Sequence, residues 1–185
     1  MTASGIGQRF HRTVPQDDTH ERDVCTHCGF VNYQNPKIVV GSVVRTGAGI
    51  LLCKRAIEPR KGYWTLPAGY LEQHETPEQG ACREAREEAC AEIELADLLA
   101  VYSIPRLSQV QLIYRSVLEG PYAAGDESEA VDVYRFDDIP WDEVAFPSVH
   151  WALRHDEFVH NGGTGSPFTN PDGQTGDRFE GPSGL

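Results

Sequence analysis

The sequence predicts an α+β domain, and three observations carry that prediction. Two apolar runs rich in β-branched residues, 38–44 and 49–55, flank a Thr46-Gly47-Ala48 turn and read as a hairpin. A helix signal with both a cap and a first-turn proline covers residues 77–91. Three further strand patterns and a second helix follow it.

Each element can be justified in chain order. Residues 1–24 are polar, with Pro15, Asp17, Asp18, Glu21 and Asp23, and read as an irregular leader. Residues 25–36 hold a Cys-x-x-Cys turn followed by Gly29. After the hairpin, a loop with Pro59 and Gly62 leads into Trp64-Thr65-Leu66-Pro67-Ala68-Gly69. In the helix over 77–91, Thr76 can cap, Pro77 fits the first turn, and Glu78 and Gln79 follow. Residues 93–104, 110–120 and 130–136 read as strands, and about 147–158 as the second helix. From Asn161 the chain is rich in Gly, Pro and small polar residues, which reads as a flexible tail without its own core. The organisation is a leader over 1–36, a functional domain over 37–160 and a tail over 161–185.

Composition bounds the function. The chain has 185 residues, a formal net charge of −12, 39% hydrophobic and 24% charged residues, which suits one ordinary globular domain with small appendages. Such acidity disfavours long nucleic acid or an anionic membrane surface as partners. It does not disfavour a small anionic ligand, because a few arginines and a divalent metal can reverse the sign locally. No apolar run is long enough to span a membrane and the start has no secretory core, so a cytoplasmic location is expected. The five cysteines, an odd and scattered set, do not read as a disulfide framework. Cys53, Cys82 and Cys90 read as small buried hydrophobes. His150, His155 and His160, spaced at fives, read as surface histidines.

The chemistry concentrates on the first helix. Glu84, Glu87 and Glu88 stand at i, i+3 and i+4, within an arc of roughly 100°. Ala85, Ala89, Cys82 and Cys90 make a second, small-residue face. Like charges at this spacing repel by about 0.2–0.5 kcal/mol per pair. A hard cation converts that cost into a binding site, since Mg²⁺ takes oxygen ligands and is often held by carboxylates plus substrate phosphates. A solvated acidic face has the same spacing, so periodicity alone leaves both readings open.

The surrounding residues carry a resemblance. Gly69, Glu75, Arg83, Glu84, Ala85, Glu87 and Glu88, at these spacings, resemble the Nudix box, the motif of the Nudix hydrolases. Every charged position matches. The sequence departs at Cys90, where the family has Gly, and at Ala91, a small version of the family's aliphatic residue. The lead-in WTLPAGYLE is also similar, and the resemblance covers about 37–160, weakening back to Cys25.

The resemblance implies a mixed β-sheet sandwiched between α-helices, with a small N-terminal ribbon-like segment. It implies that Glu84, Glu87 and Glu88 ligate Mg²⁺, or Mn²⁺ in its place, and that the Gly69 carbonyl adds an oxygen. Glu75 would pair with Arg83 and hold the preceding loop. The reaction implied is water attack on a pyrophosphate, with Glu87, Glu88 or the downstream Glu127 as base. Glu127 is favoured over Glu129 by comparison with relatives running Glu-Ser-x-Glu. Among residues near the substrate mouth, Arg55, Arg60 and Lys61 could clamp a phosphate, and Trp64, Tyr70 and Tyr102 could stack on a ring. Arg106 is a weaker phosphate candidate. Solvent exposure of the basic residues, packing of the aromatic ones and a reading of Glu127 and Glu129 as plain loop charges stay open.

Cys25 and Cys28 resemble the second half of a zinc ribbon that several Nudix subgroups carry. The first pair, expected around residues 4–11, is missing, and structural zinc takes four ligands. A decayed ribbon is therefore expected, and bound Zn²⁺ stays open, with His11, His20 and His27 at no familiar spacing. The stretch after the box lacks the Ser-Gln-Pro-Trp-Pro-Phe run of NADH pyrophosphatases. The chain looks closer to the FAD and ADP-ribose pyrophosphatase-like branch, so the expected partner is a small dinucleotide or ADP-sugar, with AMP released. A nucleoside triphosphate pyrophosphohydrolase and a non-catalytic ligand-sensing module are the alternatives. Family members are often homodimers, but no interface is legible here.

Overall fold

The computed structural model describes residues 9–177, in two units that divide between Asn35 and Pro36. Residues 1–8 of the expected leader and 178–185 of the expected tail lie outside the described residues.

The N-terminal unit is more ordered than an irregular leader. Strands β1 (Phe10–Thr13), β2 (Arg22–Cys25) and β3 (Val31–Asn32) form an antiparallel sheet in that order. Phe10 pairs with Cys25 and Val24 with Val31. Its polar composition hid these strands, because no side chain of residues 9–35 is fully buried and no apolar alternation results.

The second unit is built on a mixed sheet. The predicted hairpin forms: β4 (Lys37–Thr46) and β5 (Gly49–Arg55) pair Val44 with Leu51 and Thr46 with Gly49. Thr46 Oγ1 accepts the amides of Ala48 and Gly49 and closes the turn. Short strands β6 (Trp64–Thr65) and β7 (Ala68–Tyr70) add to β5 and β4 respectively. Then come β8 (Glu94–Ile104), β9 (Gln109–Val117) and β10 (Ser128–Tyr134). The order is β10-β5-β4-β9-β8, with β4 and β9 parallel and the other neighbours antiparallel.

Helices cover both faces, which explains why the central strands read as unbroken apolar runs. Ile50 and Leu52 join Leu99, Tyr102, Trp151 and Leu153 in one core. Leu51 and Cys53, pointing the other way, join Val44, Ala89 and Leu118 in a second. The first core lies under α2 (Pro147–His160), the second under α1 (Pro77–Ala89). Arg45 of β4 and Arg115 of β9 both bind Asp156, which is 1% exposed, and so tie α2 to the sheet.

Helix α1 begins as expected. Thr76 Oγ1 accepts the Gln79 amide, and Gln79 Oε1 accepts the Thr76 amide, a reciprocal capping box. It ends at Ala89 rather than residue 91. Cys90 takes a left-handed conformation, φ 48°, while Cys90 and Ala91 donate their amides back to carbonyls of the last turn. Cys90 is exposed and Cys82 half-buried, so only Cys53 is the buried hydrophobe expected of all three.

Residues 161–177 have no core of their own, but they are not free of the domain. The Phe168 amide donates to Leu99 O, and the Val101 amide donates to Phe168 O. The Asn170 side chain accepts the Ser103 amide and donates to the Ser103 carbonyl. The segment thus extends the sheet at its β8 edge, which composition could not show. His150 and His155 are half-buried rather than the surface residues expected. For His155 the cover is plain: it stacks on Phe168 at 4.2 Å between ring centroids, and its Nδ1 lies 2.7 Å from Tyr102 Oη.

Candidate active site

The carboxylates of α1 divide into a buried pair and an exposed third. Glu84 and Glu88, one turn apart, are 8% and 5% exposed, whereas the Glu87 side chain is 57% exposed. The pair lies under the β7 loop. Glu88 Oε2 accepts the Ala68 amide at 3.0 Å. A Cβ at Gly69 would stand 2.5 Å from both oxygens of Glu84. Only glycine lets this backbone come so close to that carboxylate.

Burial sets the electrostatics. It pushes the Glu88 carboxyl up to about 8, with Glu84 and Glu127 adding repulsion, and the Ala68 amide and Arg55 working against it. Burial also raises Glu84, opposed by Arg83 and reinforced by Glu87 and Glu127. These causes make Glu127 a near neighbour of both buried acids.

Arg83 organises the rim. Its guanidinium binds Glu75 through Nε (3.1 Å) and Nη2 (2.8 Å), and Nη2 also reaches Tyr70 O. Nη1 donates to Glu84 Oε1 at 2.6 Å and Glu87 Oε2 at 2.8 Å. The Arg83 bonds, with the Glu72 amide, hold the Glu75 carboxyl below the usual range. Glu75 and Arg83 thus meet as the resemblance implies, and together they fasten the loop from Tyr70 to Glu75 onto the helix.

These groups open on a cleft of about 1520 Å³. Gly69, Tyr70, Glu84, Glu87, Glu88 and Glu127 line it, with Arg55, Arg60 and Arg106. Three of the residues whose reading was open stand away from the cleft. Trp64 is 7% exposed and packs edge-on against Tyr134, and Tyr102 is fully buried beside Trp151, so neither ring is free to stack on a ligand. Lys61 lies 3.8 Å from Glu129, outside the cleft lining.

Two features escaped the sequence reading. Phe146 lines the cleft beneath the Arg55 guanidinium, 5.3 Å from its ring centroid. Gly125 lies against the end of α1, its amide donating to Glu88 O, where a side chain would collide with the Glu87 carbonyl. That contact brings the loop carrying Glu127 to the helix. Neither Phe146 nor Gly125 belongs to a motif, so no sequence signal marked them.

The donor chemistry can be tested against a metal. The set is all oxygen and includes two buried carboxylates, which suits a hard divalent cation and not a soft one. Arg83 engages Glu84 through one oxygen, and among the described residues no three His, Cys, Asp or Glu side chains already converge at metal-holding distance. The residues fit such an ion in chemistry. They do not fit zinc at the N-terminal turn. There the Gly29 amide closes onto Cys25 O, and the amides of Cys28 and His27 lower the Cys25 thiol, but no third ligand joins them among the described residues.

Comparison with known proteins agrees with this geometry. The NUDIX domain family model matches residues 35–155, and the Nudix N-terminal family model matches residues 7–34. The crystal structure of a NUDIX hydrolase from Nitrosomonas europaea superposes with a TM-score of 0.83 at 41% identity, covering 90% of this chain and 96% of that one. An ADP-ribose pyrophosphatase of Methanocaldococcus jannaschii is 31% identical over 113 residues, 58% of this chain and 67% of that protein. The NAD-capped RNA hydrolase NudC of Haemophilus influenzae is 46% identical over 68 residues, 35% of this chain and only 25% of that protein. With the family model spanning most of the chain and Gly69, Arg83, Glu84, Glu87 and Glu88 of the box lining one cleft, the protein belongs to the Nudix hydrolases, carrying a degenerate zinc-ribbon-like segment at its N-terminus.

Proposed function

We propose that the protein hydrolyses the pyrophosphate bond of a dinucleotide or ADP-sugar, such as ADP-ribose, FAD or NADH, in a reaction that depends on Mg²⁺ or Mn²⁺ and releases AMP. One observation carries this reading. Two buried carboxylates, Glu84 and Glu88, line a cleft that Arg55 and Glu127 also line. An acid pair of this kind offers oxygen ligands to a hard divalent cation, and a pyrophosphate is neutralised by the same cation. The likeness to the ADP-ribose pyrophosphatase supports the choice of substrate class.

In this reading Glu84, Glu87 and Glu88 hold the cation, with the Gly69 carbonyl beside them. Bound Mg²⁺ supplies Lewis-acid polarisation of the phosphoryl oxygens and offsets the charge that builds during attack. Arg55, stacked on Phe146, is held at the cleft wall to bind a non-bridging phosphate oxygen. Arg83 keeps Glu75 and the β7 loop in register, so that Gly69 stays over Glu84. Glu127 takes the proton from the attacking water. The new oxygen–phosphorus bond forms as the bridging bond opposite it breaks, and AMP leaves.

A substrate panel with product identification tests the reading. Purified protein with Mg²⁺ or Mn²⁺ is given ADP-ribose, FAD, NADH and nucleoside triphosphates. AMP with ribose 5-phosphate identifies ADP-ribose cleavage, and AMP with FMN identifies FAD cleavage. Turnover confined to triphosphates overturns the substrate class. Binding without turnover of any compound overturns the enzymatic reading.

A further inference from the structure

The C-terminal segment reaches the cleft. Gly176 lies against Ile104 and Trp151, where a Cβ would stand 2.6 Å from Ile104 Cδ1, and its φ of 76° suits only glycine readily. This places Asp177 beside Arg106, with Oδ1 accepting from Arg106 Nε at 3.0 Å and Oδ2 from Thr175 Oγ1 at 2.8 Å. Gly176, Asp177 and Arg106 line the same cleft as Glu84 and Glu88.

The register of the sheet sets the separation. The Leu71 amide, just beyond β7, donates to Ile38 O; Ile38 pairs with Val110, and Val110 with Ser103. Three strand spacings, about 14 Å, therefore separate the loop over Glu84 from the strand that leads to Arg106. Apolar side chains, among them Val39 and, next to Arg106, Leu107, also line this cleft. Such a lining suits the face of a nucleobase, so the sugar beside it is the nucleoside's ribose.

The geometry points to Arg106 and Asp177 as a recognition pair for an unphosphorylated ribose diol, an inference that rests on the proposed dinucleotide hydrolysis. A diol donates to the Asp177 carboxylate and accepts from Arg106, so both charges stay paired. A phosphate on the same sugar is attracted by Arg106 but repelled by Asp177, which also holds Arg106 as its counter-ion. The C-terminal segment thereby contributes a specificity residue, not only a cover for the β8 edge.

The test compares KM for ADP-ribose with KM for ADP-ribose 2′-phosphate, and NADH with NADPH, in wild type and in Asp177→Asn. Wild type favours the unphosphorylated member of each cleaved pair by about tenfold in KM, as expected for one charged hydrogen-bonding group. Asp177→Asn raises KM for the unphosphorylated member, lowers it for the phosphorylated one, and leaves kcat within about twofold. Arg106→Lys keeps the sign of the preference. A merely structural role for the segment raises both KM values together, and that result overturns the inference, as does an unchanged ratio in Asp177→Asn. Absence of wild-type turnover on every compound is a separate outcome, overturning the proposed function and with it this inference.

Discussion

The Arg83 guanidinium grips Glu75 through two parallel hydrogen bonds, with Nη2 2.8 Å from Oε1 and Nε 3.1 Å from Oε2. Arg83 also touches Glu84, Glu87 and Tyr70 O, so this one side chain joins the β7 loop to two acids of the helix. Lysine has the charge but not the fork. Arg83→Lys should therefore lower kcat/KM by about tenfold or more and raise the Mg²⁺ concentration needed for half-maximal rate. Arg83→Ala leaves part-buried acids unpaired and should cost about 2 kcal/mol in urea unfolding. Wild-type stability and metal response in both variants would refute the organising role.

Gly69 is held to glycine by Glu84, not by its φ. A methyl group at this position would lie 2.5 Å from both carboxylate oxygens, so the loop or the acid must move. Gly69→Ala should fold, since the conflict is local, but should lose about 10²-fold in kcat through displacement of the site. Its circular dichroism should match wild type while its Mg²⁺ activation curve shifts to higher concentration. Unaltered kinetics would mean that the loop does not need this approach.

Cys90 sits at φ 48°, ψ 31° at the end of α1, a conformation that costs a non-glycine residue roughly 1 kcal/mol. Cys90→Gly relieves that strain but loosens the unfolded chain, and the two effects oppose each other. The net expectation is stabilisation of about 0.5 kcal/mol, whereas a β-branched Cys90→Val should destabilise by at least 1 kcal/mol. Urea midpoints at unchanged slope measure both. Equal stability of the glycine and valine variants would contradict the left-handed cap.

Local rules made some of this structure legible. The β4–β5 hairpin could be read because both its faces are buried, which turns its strands into apolar runs. The start of α1 could be read because Thr76, Pro77 and Gln79 speak through contacts within one turn. Its end was misread by two residues, since a left-handed Cys90 carries none of the signal of a glycine. The spacing of Glu84, Glu87 and Glu88 was visible, but the burial of only two depends on β7, which arrives from elsewhere in the chain. Whether Trp64 and Tyr102 stack on a ligand or pack stayed open because sequence does not say which side of a strand meets the cleft. The segment around Phe168 looked free because its anchors are backbone bonds to β8, to which composition is blind.

His155 should make the fold acid-sensitive. Burial lowers its pKa from the ordinary value near 6.5, so below that value the unfolded chain binds a proton that the native imidazole resists. The stability is fully present above pH 6.5 and is lost as pH falls from there toward the lowered native value. His150 is lowered for the same main reason, so the difference between variants is informative. Between pH 7.5 and 5.0 the urea midpoint of wild type should fall further than that of His155→Gln. Parallel decline of the two would remove His155 from the account.

Glu127 and Glu129 are two residues apart, yet the fold sends them to different places. Glu127 lines the cleft and adds negative potential to both Glu84 and Glu88, while Glu129 stands 3.8 Å from Lys61. If Glu127 takes the proton from water, Glu127→Gln removes the acceptor while keeping size and hydrogen-bonding shape. Its kcat should fall by about 10²–10⁴-fold with KM little changed. Glu129→Gln disturbs only an exposed ion pair worth about 0–1 kcal/mol and should stay within about twofold of wild type. A Glu127→Gln enzyme with full rate would assign the base to Glu87 or Glu88 instead.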